Sequence, residues 1–304
     1  MTPAAETVRD LRDVPSFPAI YAAALTPHPR VRRASELPNL AHRVRKVRID
    51  PERAAAFDHL MGGPATDLVH PGVLHVLAFP LQMSLMARAD FPTPLLGLVH
   101  LRNQLLQHRP VRVGELVDVE VRTRDLAPHR KGRTFEAVAT IHAQDGEIIA
   151  TDVSTYLAPG GDKHRRSGGS GSEGHRSSRP EFTPPAPTGR WRLGADTGRR
   201  YAEVSGDANP IHLSALSAKA FGFPRAIAHG MYTASRAFTE SRADLTRPLQ
   251  WNVRFDAPVL LPSTILVAYE QDDERAATRC TAWRPGRDGK PPRRCLTVDV
   301  TALG

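Results

Sequence analysis

Residues 229 to 256 read HGMYTASRAFTESRADLTRPLQWNVRFD, and two periodicities follow one another within them. Met231, Ala234 and Phe238 fall at i, i+3 and i+7, the spacing of one face of a helix. From Trp251 the period drops to two: Trp251, Val253 and Phe255 alternate with Asn252, Arg254 and Asp256. A helix is therefore expected to lead into a strand with one buried face. His229-Gly230 stands at the helix entrance, and a further strand, APVLLPSTILVAY (257–269), follows turns marked by Pro258 and Pro262.

The same order occurs earlier in the chain. His70-Pro71-Gly72 opens an apolar stretch that runs to Met86, then LLGLVHLRNQ (95–104) and RPVRVGELVDVEV (109–121) follow, with Pro110 and Gly114 where Pro258 and Pro262 fall. Two copies are too few for a solenoid, so a duplicated domain is the simpler account. Val117, Val119 and Val121 alternate with polar residues, as do Phe135, Ala137, Ala139 and Ile141, and Leu296, Val298 and Val300. Each half is expected to place helices first and then several half-buried antiparallel strands, an α+β order in which a curved sheet covers a helix.

Between the copies lies KHRRSGGSGSEGHRSSRPEFTPPAP (163–187), rich first in Gly and Ser and then in Pro. Such a composition does not bury enough apolar surface to offset its ordering entropy. The expected organisation is residues 1–160, a basic linker over 161–189, and residues 190–304. Gly169, Gly171 and Gly174 spell G-x-G-x-x-G inside the linker, but no strand precedes them and no helix follows, so no dinucleotide site is expected.

The chain has 304 residues, with 41 Lys and Arg against 32 Asp and Glu, a net charge of +9. Part of the excess sits in residues 163–180 (Lys163, Arg165, Arg166, Arg176 and Arg179 against Glu173), and no basic face interleaved with aromatics is visible, so nucleic-acid binding is not expected. No run approaches the ~18 apolar residues of a membrane span. The sequence begins MTPAAETVRDLRD, without the apolar core of a signal peptide. Only Cys280 and Cys295 are present, too few for a disulfide framework, and a cytoplasmic location is expected.

The candidate chemistry lies in YAEVSGDANPIH (201–212). It reads as a helix ending at Gly206, an Asx turn, and a new helix from about Leu213. Caps account for Gly206 and Asn209 but not for a carboxylate and an imidazole five residues apart. Pro210 disfavours helix at Asn209, so the chain bends between Asp207 and His212, and a bend can aim both at one water as a general acid/base pair. The second feature is AIAHGM (226–231). At a helix N-terminus the free N–H groups attract negative charge and glycine admits a ligand to the backbone, which makes Gly230 an oxyanion-hole candidate. Ser205, Asp207 and His212 contain the letters of a catalytic triad, but without a nucleophile elbow Ser205 reads as a loop residue.

Taken together, YAEVSGDANPIH and the SALSAKAFGFPRAIAHGM that follows it resemble the R-specific enoyl-CoA hydratases, also called MaoC-like dehydratases or hydratase 2. The pattern is an aromatic residue, S-G-D-x-N-P-[LIV]-H, then HGM. Tyr201, Ser205, Gly206, Asp207, Asn209, Pro210, Ile211, His212, His229, Gly230 and Met231 match it. The resemblance implies a double hotdog, two helix-wrapped antiparallel sheets in one chain, with the motif in the second. It implies Asp207 and His212 as the catalytic pair, Gly230 as donor to a thioester carbonyl, and Asn209, His229 and Ser205 around the substrate. The reaction would interconvert trans-2-enoyl and (3R)-3-hydroxyacyl thioesters of CoA or an acyl carrier protein, with no metal or other cofactor and no membrane partner. Two chains could pair as a dimer.

Phe238 stands where some relatives carry a substrate-contacting serine. The first half lacks the motif, and Pro71 aligns with Gly230 without an N–H to donate, so one active site per chain is expected. Asp58-His59, and Asp67 with His70, read as structural or surface pairs. Arg225 is a candidate for a phosphate of the thioester carrier. The rival readings are a hotdog acyl-thioesterase and a non-catalytic acyl-thioester-binding subunit.

Overall fold

The computed structural model describes residues 7–25, 35–160, 182–287 and 289–303. The first half contains β1 (Thr7–Asp10), α1 (Phe17–Leu25), β2 (Leu40–Arg48), α2 (Pro51–Met61), α3 (Pro71–Met86), β3 (Val99–Gln107), β4 (Leu116–His129), β5 (Gly132–His142) and β6 (Ile148–Pro159). The second contains β7 (Gly189–Leu193), α4 (Thr197–Ser205), α5 (Pro210–Leu213), α6 (Ala215–Ala220), α7 (Gly230–Ser241), β8 (Leu249–Phe255), β9 (Ser263–Asp272), β10 (Ala277–Arg284) and β11 (Arg293–Ala302). Of the linker expected over 161–189, residues 161–181 lie outside the described residues, and β7 already begins at Gly189.

All eleven strands form one sheet in the order β1-β2-β4-β5-β6-β3-β8-β11-β10-β9-β7. With the edge strand β1 set aside, each half read inward runs first, third, fourth, fifth, second strand, so the halves share this topology and meet at β3 and β8. That joint is antiparallel, from Arg102 opposite Arg254 to Gln107 opposite Leu249. Two departures from expectation concern strand order. Each half opens with a strand, β1 or β7, before its helices, and β1 joins β2 in parallel. In β7 the buried Trp191 and Leu193 do alternate with Arg190 and Arg192, but the element is five residues long and its apolar face is only two side chains.

The sheet curls around α3 and α7. Leu74, Leu81 and Leu85 of α3 pack in one core with Val117, Val119 and Val121 of β4, while Met231, Ala234 and Phe238 of α7 pack with Trp251, Val298 and Val300. Each fully buried Leu, Val or Phe of this kind contributes roughly 1.5–3 kcal/mol. The N-terminal end of α3 comes close to the middle of α7, where a Cβ on Gly72 would press on Ser235, and on Phe57 of α2. His70 joins them: its Nδ1 accepts from the Gly72 N–H at 2.8 Å, and its Nε2 faces the Ser235 carbonyl at 3.2 Å and the Thr239 hydroxyl at 3.1 Å. Both nitrogens are committed to helix packing. Asp67 instead pairs on the surface with Arg112, and Asp58 is buried in α2.

Phe238 also belongs to this junction, with its ring 4.8 Å from His70 and 5.5 Å from Trp251. Cys280 and Cys295 are buried free thiols, pushed up to about 12 and about 11 by desolvation. Among the described residues no helix is long and apolar enough to cross a membrane.

Candidate functional site

The site is built where α4 stops. Gly206 takes φ +78°, a left-handed conformation that glycine adopts without a Cβ penalty, and its N–H closes the helix on the Ala202 carbonyl. The last carbonyls of α4 are held from the first half. Arg53 of α2 donates from Nε to the Val204 carbonyl at 2.6 Å and from Nη2 to the Ser205 carbonyl at 2.7 Å, a cation at the negative end of a helix.

Past Gly206 the loop is tied by its own side chains. The Ser205 hydroxyl accepts from the Asp207 N–H at 3.1 Å, Asp207 Oδ1 accepts from the Asn209 N–H at 3.1 Å, and Asn209 Oδ1 accepts from the Ile211 N–H at 3.3 Å. Asn209 thereby caps α5, with Pro210 at its first position, where the missing N–H costs nothing. The helix expected from about Leu213 starts three residues earlier, and Ser214 breaks it before α6. Ser205 and Asn209 both shape the loop. On the far side of α5, Gly198 lies so close that any Cβ there would drive into the His212 carbonyl.

Asp207 and His212 turn inward and are 9% and 8% exposed. His212 Nδ1 lies 2.8 Å from the Ile227 carbonyl. A carbonyl only accepts, so Nδ1 carries the proton and Nε2 holds the lone pair. Burial lowers the His212 pKa, opposed by the nearby Asp207 charge, so the ring is neutral at pH 7. His229 Nε2 likewise faces the Asp207 carbonyl at 3.0 Å, and Asp207 Oδ2 lies 3.6 Å from the same nitrogen. Desolvation first, then His212, keeps His229 neutral as well. One donor atom from each of Asp207, His212 and His229 lies within 4.8 Å of the others, a cluster that residue spacing did not signal.

Ile227 is itself fixed by pairing with Leu260, and the flanking Ala228 N–H donates to the Val259 carbonyl at 2.8 Å. This segment delivers the chain to α7, whose first residue is Gly230. Its N–H has no acceptor within the helix. A Cβ at 230 would meet Cε1 of Phe255 at 2.9 Å, so any larger residue requires that ring or the helix start to shift. Arg225 is exposed, with Nη1 3.2 Å from the Pro262 carbonyl.

Three contributors escaped the sequence reading, and all come from the first half. They are Arg53, Phe17, whose ring lies against Gly206, and Tyr21, whose hydroxyl donates to Asp207 Oδ1 at 3.1 Å. Two surface clefts, of about 370 and 440 Å³, are lined by Ser35–Asn39 with β4 residues and by Gly62, Thr239 and Tyr269 among others. Neither is lined by Asp207, His212 or Gly230.

The comparisons agree with this architecture. The MaoC-like domain family matches residues 177–282. The chain is 36% identical over 248 residues to 3-hydroxyacyl-thioester dehydratase X of Mycobacterium tuberculosis, covering 81% of this chain and 85% of that protein. The crystal structure of HtdX of the same organism is similar with a TM-score of 0.70 at 30% identity, over 86% of this chain and all of that one. A MaoC-like dehydratase from Phytophthora capsici shares the fold, with a TM-score of 0.62 at 17% identity over 86% and 94% of the two chains. At this identity and coverage the protein belongs to the MaoC-like dehydratase family and is a hydro-lyase built as a double hotdog.

Proposed function

We propose that the chain removes water from (3R)-3-hydroxyacyl thioesters and, in reverse, hydrates trans-2-enoyl thioesters, with Asp207 and His212 as the acid/base pair. The observation that carries the reading is their separation. Donor atoms of the two side chains lie within 4.8 Å, a gap that one water spans with two hydrogen bonds of ~2.8 Å. His212 presents a neutral Nε2 to that point because its Nδ1 proton is held by Ile227. The name of the Mycobacterium tuberculosis relative, a 3-hydroxyacyl-thioester dehydratase, supplies the substrate class.

In the hydration direction the water oxygen bonds to C3, one proton passes to the pair, and the pair returns a proton to C2. The Gly230 N–H, free at the start of α7, donates to the thioester carbonyl, where enolate charge gathers. Removing such a donor typically costs 10²–10³ in kcat, and positioned acid/base groups supply roughly 10²–10⁴. The carrier of the acyl group is CoA or an acyl carrier protein. The first hotdog, residues 1–160, supports the loop through Arg53, Phe17 and Tyr21.

The test mixes purified protein with crotonyl-CoA and follows loss of the enoyl absorbance. Asp207→Asn and His212→Ala should each abolish turnover with an unchanged melting temperature. Wild-type rates in either variant exclude this pair, and release of free thiol without hydration would mark a thioesterase instead.

A further inference from the structure

We propose that Tyr21, on a helix of the first hotdog, is a positioning residue for Asp207, locking the carboxylate so that Oδ2 faces the reaction. The proposal rests on the acid/base reading of Asp207. Tyr21 and Asp207 are 186 residues apart, yet the phenol donates to Oδ1 at 3.1 Å. The same oxygen accepts from the Asn209 N–H at 3.1 Å. Oδ1 is thus occupied by two donors from two directions, one along the loop and one across it. Among the described residues, Oδ2 meets only the longer 3.6 Å approach of His229 Nε2. A carboxylate held at one oxygen by a single loop amide can swing about its Cβ–Cγ bond, and a second donor on that oxygen restrains the swing.

The helix that carries the phenol is well seated. Phe17, one turn before Tyr21, lies over Gly206, the residue that precedes Asp207, and packs on Phe79 with centroids 5.8 Å apart. Phe17 and Ile20 belong to a buried cluster with Met83 and Met86 of α3 and Tyr156 of β6. The phenol is a stable donor, since burial and the adjacent Asp207 charge hold it protonated far above neutral pH. Among the described residues, the other charged or titratable groups around the carboxylate are His212, His229, Tyr201 of α4 and, at longer range, Tyr156, while Arg53 of α2 stands beside Gly206 at the Ser205 carbonyl.

The experiment is the Tyr21→Phe variant in the full chain, which keeps the ring and its packing and deletes the donor. A hydrogen bond to a charged group is worth roughly 1.5–3 kcal/mol, so kcat should fall about tenfold or more while KM stays within about twofold. A merely structural tyrosine would lower the melting temperature and leave kcat at the wild-type value. Wild-type kcat in Tyr21→Phe, with Asp207→Asn inactive, overturns the inference alone. Full activity in Asp207→Asn removes the reading beneath it. A rise in kcat/KM in Tyr21→Phe would show that the phenol obstructs the site and would also overturn the proposal.

Discussion

The imidazole rings of His212 and His229 lie face to face, with centroids 3.7 Å apart and planes inclined by 27°. Two imidazolium ions would repel strongly at this distance in a dry site, so the arrangement is stable when both rings are neutral. Each ring gives its N–H to a carbonyl, Ile227 for His212 and Asp207 for His229.

A pH dependence follows. The His212 pKa lies below its ordinary 6.5, chiefly through desolvation. Its base form is therefore populated above that lowered value and lost as the pH falls through it. We expect kcat for hydration to stay level as the pH drops from 8 through 6.5 and to decline only at more acid values. A kcat profile from pH 4 to 8 decides the matter, and a limb centred at or above 6.5 would contradict a buried neutral His212.

Gly230→Ala should impair the enzyme without unfolding it. The added methyl meets the edge of Phe255 at 2.9 Å, and we expect the start of α7 to shift away from that ring. Such a shift moves the N–H assigned to the thioester carbonyl, and we expect kcat/KM to fall by about 10²-fold. Phe255→Leu in the same chain opens the space and should restore a good part of the loss. Equal loss in the single and double variants would mean that the Phe255 contact is not the cause.

Arg53→Ala removes both charge-assisted hydrogen bonds to the Val204 and Ser205 carbonyls and leaves the end of α4 unpaired against α2. The cost should be about 2–3 kcal/mol of stability, read by urea denaturation, together with a lower kcat because the loop after Gly206 loosens. An unchanged midpoint would show that these bonds are replaced by solvent at no cost.

Much of the fold was legible because hotdog strands are half-buried and hotdog helices are wrapped. Trp251 with Val253, and Met231 with Phe238, obey the two periods that these environments impose, and all four are buried. The motif loop was legible because its turn chemistry is local: Ser205, Asp207 and Asn209 bond to amides two residues onward. Tyr21 and Arg53 were not legible. Their partners lie more than 150 residues away, and FPAIYAAAL reads only as a small apolar helix, in which one phenol is the sole hint of a polar contact. The helix expected from about Leu213 begins earlier because Asn-Pro, which suggests a turn and bend, supplies Asn209 as cap and Pro210 as first residue of α5.

The last prediction concerns acid stability. His42 and His70 are each 4% exposed, and desolvation lowers them to about 4 and about 3. Unfolded, each binds a proton near pH 6.5. Above that value neither state is protonated and neither histidine affects stability. Between pH 6.5 and the folded value only the unfolded chain takes up the proton, so stability falls by up to about 1.4 kcal/mol per pH unit for each histidine. A chain of ordinary stability, ~5–15 kcal/mol, should therefore weaken markedly between pH 6.5 and 4. His42→Gln tests the sign. The His42 Nδ1 contact to the Ser84 hydroxyl at 2.9 Å is within reach of an amide, and Nε2 has no partner to lose. The variant should unfold with a shallower dependence on pH, by close to one proton, across this window. A slope identical to that of the unaltered chain would mean that His42 titrates alike in both states.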